Sequence, residues 1–210
     1  MNEQPTHGTS GLGGRLPLLR PDALDEAQRA VHARLQVTRL PSADGAGYTA
    51  ALPDGRLIGP FNVMLRNPRI AQPLLEWAQA ISKSGIPADV REVVILTVAA
   101  HWRAEYALYA HTAGAERAGV PQAAVVALRQ GDDTPCGLRA EADVAHRVAT
   151  ALVRDHHISD DLYAEAVATF DTDSLVALVN LIGQYMNTCA LLTCFQVPAP
   201  TQHRTTAPTA

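Results

Sequence analysis

An all-α fold is predicted for this 210-residue chain, and three features of the sequence predict it. Apolar residues make up 47% of the chain but aromatics only 5%, so the core must be built largely from Ala, Leu and Val, which suit closely packed helices. From Phe61 almost to the end, apolar residues recur at helical spacing and Gly and Pro punctuate the runs. No stretch shows the strict alternation of a half-buried strand.

The elements follow in chain order. Residues 1–14 and 197–210 are rich in Gly, Pro, Thr and Ser and read as flexible ends around a single domain at 15–196. Leu24, Ala27, Val31 and Leu35 place a first helix over 22–38. Residues 40–58 lack helical periodicity, and a loop of that length suits a binding element or an arm over a neighbour. Asn67-Pro68 opens an amphipathic helix that Gly85 stops. Pro87 opens the next, with Asp89 and Glu92 near its start, where carboxylates suit the helix dipole. Its body, VVILTVAA at 93–100, is apolar all round and demands burial on every side. His101-Trp102-Arg103 forms a turn, and Glu105 to Ala118 the returning helix, ended by Gly119 and Pro121. Later helices run over 121–130, 138–155, 159–170 and 174–195, with His156-His157 as a C-terminal cap.

Charge and cysteine usage exclude several function classes. The formal charge is −4, from 17 basic and 21 acidic side chains with no basic cluster, so no nucleic-acid partner is expected. No apolar run approaches the ~20 residues of a membrane span, and the N-terminus lacks the basic and apolar regions of a signal peptide. Cys136, Cys189 and Cys194 are odd in number and lack ligand-like spacing, which points to a reducing, cytoplasmic setting. Lys83 is the single lysine, which leaves almost no candidate for Schiff-base chemistry. No two histidines share an i, i+4 spacing with a carboxylate between them, so no metal is expected.

The helix pair around the 101–103 turn carries the site-like constellation. At about 1.5 Å rise per residue, Glu92 lies roughly 15 Å before the turn and His111 roughly 12 Å after it. Antiparallel packing then brings the two to similar depth. A carboxylate beside an imidazole fixes its tautomer and strengthens it as a base. The same residues also suit a dipole partner and a satisfied interior histidine, and the sequence leaves both readings open. Positions 104, 107, 108, 111, 114 and 115 share one helix face and read Ala, Ala, Leu, His, Gly, Ala, which allows either a close helix contact or a small cavity.

Several segments in fixed order resemble the carboxymuconolactone decarboxylase and alkylhydroperoxidase D-like superfamily. They are REVVIL at 91–96, AEYALYAHT at 104–112, AERAGV at 115–120, GPFN at 59–62, NPRIA at 67–71, and LIGQY with FQVP within 181–198. The resemblance implies an alkylhydroperoxidase D-like helical bundle that assembles as a trimer or hexamer. It aligns Glu92 and His111 with the glutamate and histidine of the peroxidase branch. The two cysteines of that branch fall on Ala104 and Ala107, which cannot perform thiol chemistry. Cys189 and Cys194 do not substitute, being five residues apart and about 140° around one helix.

The expected function is therefore cofactor-independent acid–base catalysis of a decarboxylase or lyase type on a small organic acid, lactone or carbonyl compound. His111 is the expected base or acid and Glu92 its orienting partner, assisted by Glu105 or Tyr109. Asn62, Trp102, Ala104, Ala107 and Asn187 are the candidate substrate-binding positions. Arg66, Arg69, Arg91 and Arg103 are candidates to hold a carboxylate. Competing expectations are a non-catalytic binding or assembly protein on the same scaffold and a hydroperoxide reductase with its thiol elsewhere.

Overall fold

The computed structural model describes residues 11–200, and the flexible ends expected at 1–10 and 201–210 lie outside them. The described residues are helical with no strand beyond one isolated bridge between Ala51 and Leu57. In order they form α1 (Glu26–Thr38), α2 (Leu40–Ala46), α3 (Pro60–Met64), α4 (Pro68–Ser82), α5 (Ala88–Trp102), α6 (Glu105–Arg117), α7 (Gln122–Gln130), α8 (Ala140–Thr150) and α9 (Asp160–Cys194).

Helix α5 is the axis of the bundle. Every residue from Glu92 to Ala99 is buried, and α6, α7, α8 and α9 pack around it. The all-round apolar sequence has no solvent face to offer, so it is satisfied only at the centre. Arg103 takes the left-handed conformation (φ 50°) at the C-terminus of α5, which reverses the chain into α6 and makes the two helices antiparallel neighbours.

Three boundaries have a local cause, the first two departing from the sequence expectation and the third agreeing with it. Helix α1 begins at Glu26 because Asp25 and Gln28 form a reciprocal capping box, which outcompetes a start at Asp22. The last helical run before His156 loosens into a π segment (Ala151–Asp155), and His156 at φ 53° ends it. In α9, Asp171 (φ 56°, ψ 176°) breaks the helix between the two predicted segments, and its carboxylate caps the second by accepting from the Ser174 amide.

The expected flexible ends at 11–14 and 197–200 are corrected by packing, and the long segment at 40–58 is held against its own chain. Leu12 contacts the main core, Arg15 N–H donates to the Phe195 carbonyl, and Val197 is buried, so the two ends brace one another. Within 40–58, Pro41 sits in the first turn of α2, where a missing N–H costs nothing, and Ala43 is buried. Beyond α2, the Tyr106 hydroxyl donates to the Thr49 carbonyl and the Thr49 amide donates to the Tyr109 hydroxyl. The segment thus lies on α6 of its own chain. Gly59 permits the next turn: its φ is +65°, and a Cβ there would sit 2.2 Å from the Tyr106 ring.

By length and mean hydropathy α9 is apolar enough to cross a membrane, a test that the core helix of a helical bundle also passes. Its Leu175, Leu178, Leu181, Ile182, Cys189 and Leu192 are buried, with α5 and α8 as the principal neighbours.

On the far side of α5, the buried His146 is held neutral. Its Nε2 donates to the Asp133 carbonyl at 3.3 Å, and Nδ1 lies 2.8 Å from the Thr97 hydroxyl. Burial pushes its pKa below the ordinary 6.5, against the pull of the Asp133 carbonyl and nearby carboxylates. The unfolded chain therefore binds a proton more readily than the folded one. Stability should be full above pH 6.5 and fall as the pH drops from there toward the folded value. Urea midpoints at pH 7.5 and 5.5 should show the drop in the wild type and a smaller one in His146→Gln.

Candidate active site

The antiparallel α5–α6 pair brings Glu92 and His111 together as the spacing predicted. His111 Nδ1 lies 2.7 Å from Glu92 Oε2. The side chains are 20% and 10% exposed, so the pair is largely shielded from water. Gly114 makes the contact possible: one turn after His111, a Cβ there would sit 2.7 Å from Glu92 Oε2. On Glu92, burial raises the pKa, but His111 and Arg91 together outweigh it and hold the carboxyl below its ordinary value. The carboxylate is charged and can only accept, so His111 Nδ1 carries the proton.

The sequence reading missed the third member. Tyr185, from the second half of α9, places its hydroxyl 3.0 Å from His111 Nε2. The rings meet edge to face, 5.1 Å between centroids at 88°. With Nδ1–H committed to Glu92, Nε2 accepts from the Tyr185 hydroxyl. Burial, then the nearby charge of Glu92, pushes the Tyr185 pKa well above the ordinary phenol value and keeps it protonated. The result is a directed chain from Tyr185 through His111 to Glu92. Tyr185 lies 74 residues from His111, so no local periodicity could have paired them. The only signal was its place in the LIGQY segment.

Glu92, His111 and Tyr185 line one cavity of about 770 Å³. Its apolar wall includes Phe61, Met64, Leu75, Ile81, Ile95 and Leu192. Ala107 lies in this wall, one turn before His111, and Gly114 one turn after it, so this part of the small-residue face borders a cavity while Ala104 and Ala115 are packed in the core.

The remaining candidates fall elsewhere. Glu105 is exposed and outside the lining. Tyr109 precedes His111 by two residues, about 200° around α6, and its hydroxyl serves Thr49. Asn62 is buried but turned away, accepting from the Leu19 amide and donating to the Pro17 carbonyl. Ala104 is buried at the start of α6 outside the lining, and Trp102 packs on the core while its carbonyl accepts from Thr193. Asn187 is exposed. Of the candidate arginines, Arg91 lines the cavity and Arg66 donates to the Pro17 carbonyl.

No cysteine lines the cavity. Burial pushes the Cys189 thiol up to about 12, which removes the thiolate that peroxide attack requires. Cys136 and Cys194 are exposed, and Cys194 shares continuous helix with Cys189.

Gly114→Ala tests Glu92 as a positioning residue. The added methyl displaces the carboxylate from His111, while the alanine adds helix propensity of about 0.5–1 kcal/mol to offset the crowding. The expected result is unchanged helicity with kcat lowered at least tenfold and an altered pH profile. An unchanged profile would show that the Glu92 contact is only structural.

Comparisons with known proteins bear on this geometry. Residues 68–151, which span α4 to α8, match the carboxymuconolactone decarboxylase family. No curated protein matches the sequence. Among solved structures, the fold is similar to an uncharacterised peroxidase-related protein with an alkylhydroperoxidase AhpD core from Ralstonia eutropha JMP134. The TM-score is 0.69 at 12% identity over 90% of this chain and 93% of that one. It is also similar to the debrominase Bmp8, solved as a cysteine-to-alanine variant with 2,3,4-tribromopyrrole, at TM-score 0.66 and 16% identity over 90% and 94% of the two chains. The family match thus covers the helices that carry Glu92 and His111, and the fold is that of alkylhydroperoxidase D-like helical proteins.

Proposed function

We propose that the chain is an acid–base enzyme of decarboxylase-like or lyase-like type, acting on an organic acid, lactone or related carbonyl compound. The observation that carries this reading is the Tyr185–His111–Glu92 chain, with links of 3.0 and 2.7 Å, at the wall of a large cavity. The family match over 68–151 supports this reading, as does the likeness of the fold to that of a debrominase.

The proton path follows from the donor order. A substrate proton made acidic by a neighbouring carbonyl passes to the Tyr185 oxygen as the Tyr185 proton passes to His111 Nε2. The imidazolium so formed is held by the Glu92 carboxylate, which stabilises charge in a site largely shielded from water. In the opposite sense, an imidazolium formed by taking up a solvent proton delivers it through Tyr185 to a carbanion left by loss of carbon dioxide. Exchange thus consumes no proton, and decarboxylation consumes one from solvent per turnover. Thiol peroxidase chemistry has no support from the site, since alanines stand at 104 and 107 and Cys189 stays protonated.

The test is a panel of β-oxo acids and lactone acids incubated with the protein in D2O and followed by NMR. Deuterium incorporation or loss of carbon dioxide by the wild type is expected. Tyr185→Phe should lower kcat by about 10²-fold or more, the scale of a general acid–base contribution. Equal rates for the variant would remove Tyr185 from the path. No exchange on any member of the panel would overturn the reading.

A further inference from the structure

The cavity is polarised along its length. At one end Lys83, Arg91 and Arg117 line the wall, with Ala88 from the first turn of α5. At the other, Ile95, Ala107 and Leu192 form an apolar floor beneath Tyr106. His111 lies between them, because α6 runs from Ala107 through His111 to Arg117. The sides carry Phe61, Met64, Leu75 and Ile81, and a further cation, the half-buried Arg39.

The charge balance is one-sided. Glu92 is the single carboxylate of the lining, and His111 and Arg91 already engage it. Arg34 is occupied by Gln72 and Glu76. Among the described residues, Arg39, Lys83 and Arg117 enter no ion pair. Lys83 and Arg117 unpaired at one end, with Arg39 unpaired on the side and one engaged carboxylate, give the cavity a positive lining, and an anion is the ligand group that completes it.

Size sharpens the identity. A volume of 770 Å³ equals roughly 25 waters at about 30 Å³ each, far more than a lactone acid of a dozen heavy atoms fills. Along α6, Arg117 to Ala107 spans roughly 15 Å, and Arg117 to His111 roughly 9 Å. An extended chain of about ten to twelve carbons covers the longer span.

We infer that this site takes an amphipathic carboxylate: an acid head at the Lys83–Arg117 end, an apolar body of medium chain length reaching the Ile95–Leu192 floor, and its reacting carbon about 9 Å from the head. The inference rests on the acid–base reading only for the position of the reacting carbon; the binding mode stands on charge and volume.

The test is direct binding by calorimetry of sodium alkanoates from butanoate to tetradecanoate, below their micellar concentrations, with 1-octanol and 1-decanol as uncharged controls. Affinity should rise about fourfold per methylene, the equivalent of about 0.8 kcal/mol, and level off near twelve carbons. Decanoate should bind at least tenfold more tightly than 1-decanol. Arg117→Ala, at an exposed position that leaves the core intact, should weaken decanoate several-fold and leave 1-decanol unchanged. A flat chain-length series, or equal binding of acid and alcohol, would overturn the inference. Chain-length-dependent binding with no turnover on any acid would support this inference while overturning the acid–base reading, so the two failures are distinct.

Discussion

Replacing His111 with alanine should lower kcat/KM on any substrate found by about 10²–10⁴-fold, the range of a positioned acid–base group. His111 is the one residue that touches both other members of the chain, donating to Glu92 and accepting from Tyr185. Its removal leaves the Glu92 carboxylate buried with only the 3.5 Å contact to Arg91, and leaves the Tyr185 hydroxyl without an acceptor. Stability should fall by about 1–3 kcal/mol for the orphaned groups. Circular dichroism should nevertheless remain that of a folded helical protein, because His111 is a cavity-lining residue outside the buried apolar core. Steady-state rates for wild type and variant decide the point: activity within a few-fold of wild type would remove His111 from the chemistry.

Leu96→Ala should cost about 2–5 kcal/mol, measured as a shift in the urea midpoint at unchanged m-value. Leu96 has no exposed surface and sits on the helix that α6, α7, α8 and α9 share. The lost methylenes leave a void that four neighbouring helices cannot all close at once. The effect should exceed that of truncating a partly exposed residue such as Val179, which is 44% exposed on α9. A loss below 1 kcal/mol would mean that the α5 environment relaxes to fill the space.

How much was legible in the sequence depended on range. The run at 93–100 announced its own burial, because a helix without a polar face can only lie inside. Glu92 and His111 could be paired because one tight turn joins their helices, which fixes depth by counting residues. Glu105 and Tyr109 shared that helix, and their distance from the site follows from angle: two or six residues from His111 is a different face. Asn62 and Asn187 were tied to the site by resemblance alone. One is buried against residues 17–19 and the other faces solvent.

Tyr185 was out of reach for a different reason. Its contact with His111 depends on how α9 crosses the α5–α6 pair, a matter of inter-helix packing that leaves no mark on local periodicity. How the segment at 40–58 packs was out of reach on the same ground. Its sequence is polar and rich in glycine, yet two tyrosine hydroxyls on α6 hold Thr49, and the interrupted chain becomes part of the cavity wall through Tyr48.

By itself, then, the amino-acid sequence determined the helical class, the central place of 88–102, the absence of thiols at 104 and 107, and the meeting of Glu92 with His111. Each is a consequence of local pattern or of a short connection that geometry constrains. The tertiary structure alone decided that Tyr185 completes the hydrogen-bonded chain, that Ala107 borders a cavity instead of another helix, and that Lys83 and Arg117 stand unpaired at one end of it. Those facts require distant segments to converge, and the energy that brings them together is spread over the whole core rather than written at any one position.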